Sequence, residues 1–161
     1  MGVDFGFSAV KLLQVREHQR DLHIVGSSQI SLPRQDDGGV DGSALEARLA
    51  NAIARGGFAG RRCVVSLPRE TIRIQAVRLP AMPDSELRDA AAWEAAERFD
   101  LDRETIEVDF IRTGATLNSG EHREEIILIA ATHAALRTYL DPIISAGLRP
   151  LAVDVSFVAI A

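Results

Sequence analysis

The sequence has few of the residues that cross-link a protein or anchor it in a membrane. Its 161 residues include one cysteine, one tryptophan and one tyrosine. No apolar run approaches the roughly 20 residues that span a bilayer, and the N-terminus lacks the basic start and apolar core of a secretory signal. The single cysteine, Cys63, lies in an apolar run and cannot form an internal disulfide. We therefore expect a cytoplasmic protein without a membrane span, in which Cys63 is a buried thiol.

Basic charge is also scarce. Acidic residues number 23 against 18 Lys plus Arg, so the net charge is -5. Because such a field repels phosphate backbones, we expect no nucleic-acid partner. Lys11 is the only lysine, which indicates either a position that requires a compact ammonium or chance. The four histidines have no spacing that predicts a metal site.

Hydrophobic residues make up 47% of the chain, enough for a buried core. Alternating and helical apolar patterns predict a mixed α/β fold in two parts. The first part begins with three strands, at 2–5, 10–16 and 22–32. A helix at 43–55 begins at a capping box formed by Ser43 and Glu46, and a fourth strand follows at 62–67. The second part begins with a strand at 71–79 and a helix at 84–98. A hairpin of two strands follows, at 106–112 and 125–131, with 118–120 in its loop. A helix at 132–146, capped by Thr132, leads to a final strand at 151–155. Pro142 predicts a kink or a restart of the last helix.

The segment from Asp4 to Lys11 is the most informative for chemistry. An acidic residue ends a strand, Gly6 opens a turn, and Lys11 lies on the next strand. A carboxylate for hydrated Mg²⁺, free turn amides and an ammonium are the groups that bind a phosphate chain. The alternative is a plain β-hairpin, in which Gly6 supplies a positive φ.

The same residues, in the pattern Asp-x-Gly-x-Ser-x-Val-Lys, resemble the first phosphate loop of the actin-like ATPase superfamily. Three further segments, in the right order, narrow the resemblance to the type IV pilus assembly protein PilM family. They are Leu-Pro-Ala-Met at 79–82, Trp-Glu-Ala-Ala-Glu at 93–97, and Ala-Gly-Leu-Arg-Pro at 146–150 with Val-Asp-Val at 153–155. The resemblance covers the whole chain, but only about the first half of such a protein.

For the fold, this resemblance implies an actin-like, ribonuclease H-like subdomain interrupted by a small βαββα subdomain of the SHS2 type, as in the cell-division relative FtsA. The actin-like part would comprise 1–68 and 148–161, and the insert 69–147. Because 156–161 looks like the opening of another helix, we also expect the chain to be truncated.

For function, the resemblance implies a cytoplasmic component of the inner-membrane pilus platform that binds ATP and Mg²⁺ and holds the cytoplasmic tail of the membrane protein PilN. Such a protein is peripheral to the membrane through its partners and is a possible homo-oligomer. The residues carried over are Asp4 and Asp154 as metal-side carboxylates, Gly6, Phe7 and Ser8 as the phosphate turn, and Lys11 as the phosphate lysine. Phe7 departs from the family, which usually has Ser or Thr there.

We assign no catalytic residue, because Asp4 and Asp154 would be occupied by the metal and no other group is a convincing general base. At most a weak ATPase is expected, and no measurable hydrolysis by this chain alone, since the second phosphate loop would follow residue 161. Two alternatives stay open: a genuine ATPase of the actin-like class, or a peptide-binding adaptor of a cell-division or type II secretion complex.

Trp93 lies off the apolar side of its predicted helix, which is formed by Leu87, Ala91 and Ala95. It either packs between subdomains or anchors a partner. Glu94 and Arg98, four residues apart, are expected to form a solvated ion pair.

Overall fold

The structure, a computed structural model, describes residues 1–118 and 121–155. Along the chain these residues form eight strands and three helices: β1 (Gly2–Phe5), β2 (Ala9–His18), β3 (Asp21–Ser31), α1 (Gly42–Arg55), β4 (Arg62–Leu67), β5 (Arg73–Pro80), α2 (Asp84–Phe99), β6 (Ile106–Asn118), β7 (Glu121–Thr132), α3 (His133–Ser145) and β8 (Arg149–Val155). Two of the predicted hairpin-loop residues, 119 and 120, and the predicted terminal helix at 156–161 lie outside the described residues. None of the described helices is long and apolar enough to cross a bilayer.

The chain divides into two compact units. The first unit is Met1–Arg69 together with the chain from Arg137 onward, and the second is Glu70–Leu136. The first boundary lies one residue from the predicted one, whereas the second lies within α3, ten residues or more before the predicted end of the insert. The reason is packing: the ring of Tyr139 in α3 meets the ring of Phe5 in β1 edge-on, with centroids 5.0 Å apart.

The first unit is built on a five-stranded mixed sheet in the order β3-β2-β1-β4-β8. The pairs β3-β2 and β2-β1 are antiparallel, whereas β1-β4 and β4-β8 are parallel. In β1, in β4 and at the start of β2, alternation places one set of side chains in the core, where α1 and α3 also bury their apolar sides. The buried strand residues are Val3, Phe5, Val10, Leu12, Cys63, Val65, Leu67 and Val155.

The second unit is an antiparallel sheet in the order β5-β7-β6, with α2 packed on one side. The helix buries Leu87, Ala91 and Ala95, the face that its sequence predicts. These side chains share a core with Val77, Ile106, Ile126, Leu128 and Ala130. The strands β6 and β7 extend further toward the hairpin loop than the predicted ends at 112 and 125. The polar residues there continue the pairing between the two strands.

Two predicted helix ends are confirmed and one is wrong. The backbone N–H of Ala135 donates to the Thr132 hydroxyl at 3.1 Å, and Gly147 takes the positive φ that ends α3. However, α1 is capped by Asp41, whose carboxylate accepts from the N–H of Ala44 at 3.0 Å. The predicted cap, Ser43, already lies inside the helix. The helix α3 also runs through Pro142 without restarting.

Candidate functional site

The turn between β1 and β2 is the first part of the candidate site. The N–H of Gly6 donates to the carbonyl of Ala9 at 2.9 Å, which closes the turn. Gly6 does not have a positive φ, so that part of the plain-hairpin interpretation is wrong. Glycine is favoured here by space, because a Cβ at this position would lie 3.2 Å from the Ala9 carbonyl oxygen.

Arg34 fixes this turn from outside. Its Nη2 donates to the carbonyl of Phe7 at 2.9 Å, and its Nη1 donates to the carbonyl of Gly38 at 2.8 Å. The guanidinium carbon also lies 5.4 Å from the centroid of the Phe7 ring, within the range of a cation–π contact. Sequence reasoning missed Arg34, because it lies in a polar loop 27 residues from the carbonyl that it binds.

The turn therefore presents donors rather than acceptors. The carbonyls of Phe7 and Ser8 accept from Arg34 and from the N–H of Leu32. Within the described part of the chain, the N–H groups of Phe7 and Ser8 donate to no protein atom. Free, fixed amide donors beside a positive charge are suited to phosphate oxygens. The Phe7 ring is 82% exposed, so it stands beside this turn without filling it.

The second part of the site is a line of side chains across the sheet. Strand register pairs Asp4 with Lys11 on β2, Asp4 with Ser66 on β4, and Ser66 with Asp154 on β8. Paired residues on neighbouring strands project from the same face. We call Lys11, Asp4, Ser66 and Asp154 the polar row.

Lys11, Asp4 and Ser66 project away from the core, because both of their neighbours along the strand are buried, and Asp154 shares their face through its register with Ser66. The polar row also lies at one edge of the sheet: Asp4, Ser66 and Asp154 are each the second-last residue of a parallel strand. The turn at Gly6 follows directly at this edge. Ligands of open α/β sheets bind outside the carboxyl ends of parallel strands, so row and turn together form one candidate phosphate and metal site.

Ser66 was not predicted from the sequence, although it lies between the two carboxylates in the register. Its hydroxyl oxygen is buried and has no hydrogen-bond partner in the described part of the chain. An unsatisfied buried hydroxyl costs roughly 1–3 kcal/mol, so native proteins rarely retain one without a partner. The centre of the row therefore holds an unsatisfied hydroxyl that is covered by protein atoms in this structure.

The spacing of the carboxylates limits how they bind a metal. Asp4 and Asp154 are separated by one intervening strand, and hence by roughly 10 Å between Cα atoms. Direct Mg²⁺ ligands lie at about 2.0–2.1 Å, and the ion keeps several of its waters. The Oδ1 of Asp154 also accepts a hydrogen bond from the backbone N–H of Val155, at 2.7 Å. The row therefore fits a hydrated Mg²⁺ and not a dehydrated cage, and the described residues contain no cluster of three or more His, Cys, Asp or Glu for one.

The only lysine of the chain is exposed at the other end of the row. Among the described residues Lys11 forms no ion pair, even though Asp4 is its cross-strand neighbour. Its ammonium is thus available to an anion. The structure brings Asp4, Gly6, Phe7, Ser8, Lys11 and Asp154 to one edge of one sheet, and their ligand roles remain predictions.

Trp93 belongs to the second unit. Its indole is 64% exposed, on the side of α2 away from Leu87 and Ala91. The guanidinium carbon of Arg103 lies over the indole, 4.8 Å from the ring centroid. The predicted Glu94–Arg98 ion pair is present.

A family model described as "Type IV pilus assembly protein PilM" matches residues 2–161. The chain belongs to the PilM family. The resemblance proposed from the sequence is therefore confirmed. No curated protein matches the chain at a significant level.

Solved structures show the fold of this PilM-family chain. It is similar to a chain of a PilM-PilN type IV pilus biogenesis complex, with a TM-score of 0.82 and 24% identity over 98% of its length. It is also similar to the cytoplasmic domain of EpsL, an inner membrane component of the type II secretion system of Vibrio cholerae, with a TM-score of 0.61 and 16% identity over 94% of its length. The mixed α/β, actin-like fold class is confirmed. The chain spans 47% and 55% of those two chains, respectively.

Proposed function

We propose that this PilM-family chain belongs to a cytoplasmic, nucleotide-responsive assembly component of the type IV pilus inner-membrane platform. It binds the cytoplasmic tail of a PilN-like membrane protein and so associates peripherally with the membrane. The observation that carries the nucleotide part is the convergence of the fixed turn and the polar row at one sheet edge.

In this proposal the phosphates of ATP meet the N–H groups of Phe7 and Ser8, beside the close-packed Gly6. Lys11 neutralises part of the phosphate charge. Arg34 holds the turn in place, because its hydrogen bond to the Phe7 carbonyl and its contact with the ring act on the same residue. Phe7 cannot supply the hydroxyl usual in the family, and Ser8 provides the nearest one.

Asp4 and Asp154 would hold a hydrated Mg²⁺, and the Ser66 hydroxyl would supply a donor or acceptor between them. When bound, the metal ion neutralises charge on the phosphates. Both carboxylates would be engaged by the metal ion, and we assign no other residue as the general base that activates a water. We therefore favour an assembly component over the alternative of a genuine ATPase.

The partner part of the proposal is supported by the family and by the solved PilM-PilN complex. Trp93 is the residue we assign to the partner, because a large exposed aromatic ring is a common anchor at interfaces. The similarity to EpsL supports a second candidate, an adaptor of the type II secretion platform.

The proposal is tested with the protein in its full natural length and a peptide of the cytoplasmic tail of the PilN-like protein from the same organism. We expect calorimetry to detect tail binding, with a Kd that changes at least threefold when Mg²⁺-ATP is added. A tail that does not bind would remove the partner role. A tail that binds with the same Kd in both conditions would remove the nucleotide response and leave the adaptor.

A further inference from the structure

We propose that the second unit contains a docking pocket for a cationic segment of a partner, whose arginine or lysine side chain packs against the Trp93 indole. The proposal rests on the partner-binding role given to Trp93 above and adds the chemistry of what is bound.

The pocket has a volume of about 810 Å³ and is formed by the C-terminal half of α2 and the turn that follows it. We call it the Trp93 pocket. Its lining residues are Trp93, Ala96, Glu97, Leu101, Asp102, Arg103 and Glu104. This volume accommodates several side chains of a peptide, and its wall combines an indole with carboxylates.

The indole already holds one guanidinium. Arg103 lies over the ring at 4.8 Å, yet most of the Trp93 side chain remains exposed. The same chemistry can therefore be offered to a second cation, or to one that replaces Arg103.

Arg103 is held weakly. Its Nη2 lies 3.5 Å from the Asp89 carboxylate, and the Asp89 side chain is 79% exposed. An exposed ion pair at this distance contributes little to stability, because water and salt screen it. Arg103 can therefore move aside when a partner arrives.

The charge of the pocket selects the partner. Three acidic residues, Glu97, Asp102 and Glu104, line the pocket together with one basic residue, Arg103. Asp102 is partly used, since its Oδ1 accepts from the N–H of Glu104 at 3.0 Å. Glu97 and Glu104 form no ion pair among the described residues. An acidic segment would be repelled, and a purely apolar one would desolvate both carboxylates without compensation. A cationic segment satisfies the indole and the carboxylates together.

The test exploits the fact that Trp93 is the only tryptophan in the chain. Its fluorescence therefore reports on this pocket alone. The probe is a blocked hexapeptide of four arginines between two glycines, and its counterpart carries uncharged citrulline at the four positions. We expect the arginine peptide to change the emission of the chain saturably and the citrulline peptide to leave it unchanged.

Calorimetry with variants separates the pocket from the general negative charge. We expect the double variant Glu97→Gln/Glu104→Gln to bind the arginine peptide at least tenfold more weakly. The control Glu17→Gln/Glu46→Gln removes the same charge from exposed positions of the first unit and should change the Kd less than threefold. We also expect Trp93→Ala to weaken binding at least fivefold and Trp93→Phe to weaken it less, with unchanged circular dichroism.

Equal weakening by the two glutamine pairs would show binding to net charge alone and would overturn the proposal. Equal binding of the citrulline peptide would overturn it as well. If the PilN-like tail binds the full-length protein while the arginine peptide does not bind this chain, the proposed function stands and the cationic pocket falls. If the arginine peptide binds as expected and the tail does not bind, the result supports the cationic docking pocket and contradicts the PilN-like tail as the partner.

Discussion

The two sheets differ in whether charged side chains on their surfaces form ion pairs with each other. In the second unit, charges form ion pairs: Arg78 on β5 binds Glu125 on β7 at 3.3 Å, and Arg112 on β6 binds Glu124 on β7 and Asp84 on α2. The hydrogen bond that Arg112 donates to the Glu124 carboxylate is the main reason that the pKa of Arg112 is raised. In the first unit, the members of the polar row lie side by side, and no ion pair forms between Lys11 and Asp4.

Charged groups that form ion pairs with each other stabilise a surface, whereas charged groups without such pairs are available to a ligand. Paired charges satisfy each other and need no ligand. In the polar row, Lys11 forms no ion pair with either carboxylate, and the buried Ser66 hydroxyl has no hydrogen-bond partner in the described part of the chain. Unsatisfied groups of the latter kind are found at functional sites. This contrast is the physical basis for placing the proposed nucleotide site in the first unit.

The largest effects are expected from the cores, which should be equally well packed in the two units. Leu49 in α1 and Leu128 in β7 are fully buried. Replacing either by alanine should lower the free energy of unfolding by about 2–5 kcal/mol, through lost burial and the cavity that remains. The control Leu13→Ala, at a half-exposed strand position, should cost much less. Urea unfolding measures all three, and a loss below about 1 kcal/mol at Leu49 or Leu128 would contradict tight packing in that unit.

A second prediction compares Arg34, which holds the turn by hydrogen bonds to carbonyls, with Arg78, which forms an ion pair. Arg34→Ala removes the hydrogen bond and ring contact that fix the turn, so we expect the full-length protein to bind Mg²⁺-ATP about tenfold more weakly, or about 1.4 kcal/mol. Arg34→Lys should restore only part of this, because an ammonium cannot reproduce the planar two-point contact. Arg78→Ala in the second unit is the control. Equal loss in the two alanine variants would show that the effect of Arg34 is only one of charge.

The cap of α1 gives a smaller effect. Asp41→Ala removes the acceptor for the N–H of Ala44 and should cost about 1 kcal/mol, within the usual range for a lost N-cap. Ser43→Ala, inside the helix, should change stability by less than about 0.5 kcal/mol. Thermal or urea unfolding measures the loss of stability in both variants. A larger loss in Ser43→Ala than in Asp41→Ala would contradict Asp41 as the N-cap and support Ser43, the cap that the sequence predicts.

Cys63 gives the smallest effect. Burial raises the pKa of its thiol, and the nearby N-terminal ammonium lowers that pKa by less. Since the folded state retains the proton longer, the thiol's contribution is fully present below the unfolded pKa of about 9.0 and is lost as pH rises toward the folded pKa. We therefore expect the wild type to lose more stability between pH 8 and pH 10 than Cys63→Ala does. Parallel pH curves for the two proteins would contradict the raised pKa.

The strands and helices were predictable because burial on one face leaves a strong periodic signal. The alternation of Val3 and Phe5, or the spacing of Leu87 and Ala91, is visible in the sequence itself. Helix ends were harder: Asp41 and Ser43 are both good caps two residues apart, and tertiary context decides between them.

The site was only partly predictable, because its members meet through strand register and loop folding. A glycine turn with a nearby aspartate and lysine suggested a phosphate site, and the family resemblance added Asp154. Ser66 reaches the row through the pairing of β1, β4 and β8, and Arg34 through a loop that folds back on the turn. Neither position carries a local sequence signal, so neither could be identified without the structure.

The most direct test of the central claim is calorimetric titration of ATP into the full-length protein, with and without Mg²⁺, for the wild type, Asp4→Asn and Lys11→Gln. Glu17→Gln, on the same strand as Lys11 but outside the polar row, is the matched control. If the polar row binds the metal and the phosphates, wild-type affinity depends on Mg²⁺, both row variants bind at least tenfold more weakly, and the control binds as the wild type does. Binding that is indifferent to Mg²⁺ and equal in all four proteins would contradict a nucleotide site at this edge of the sheet.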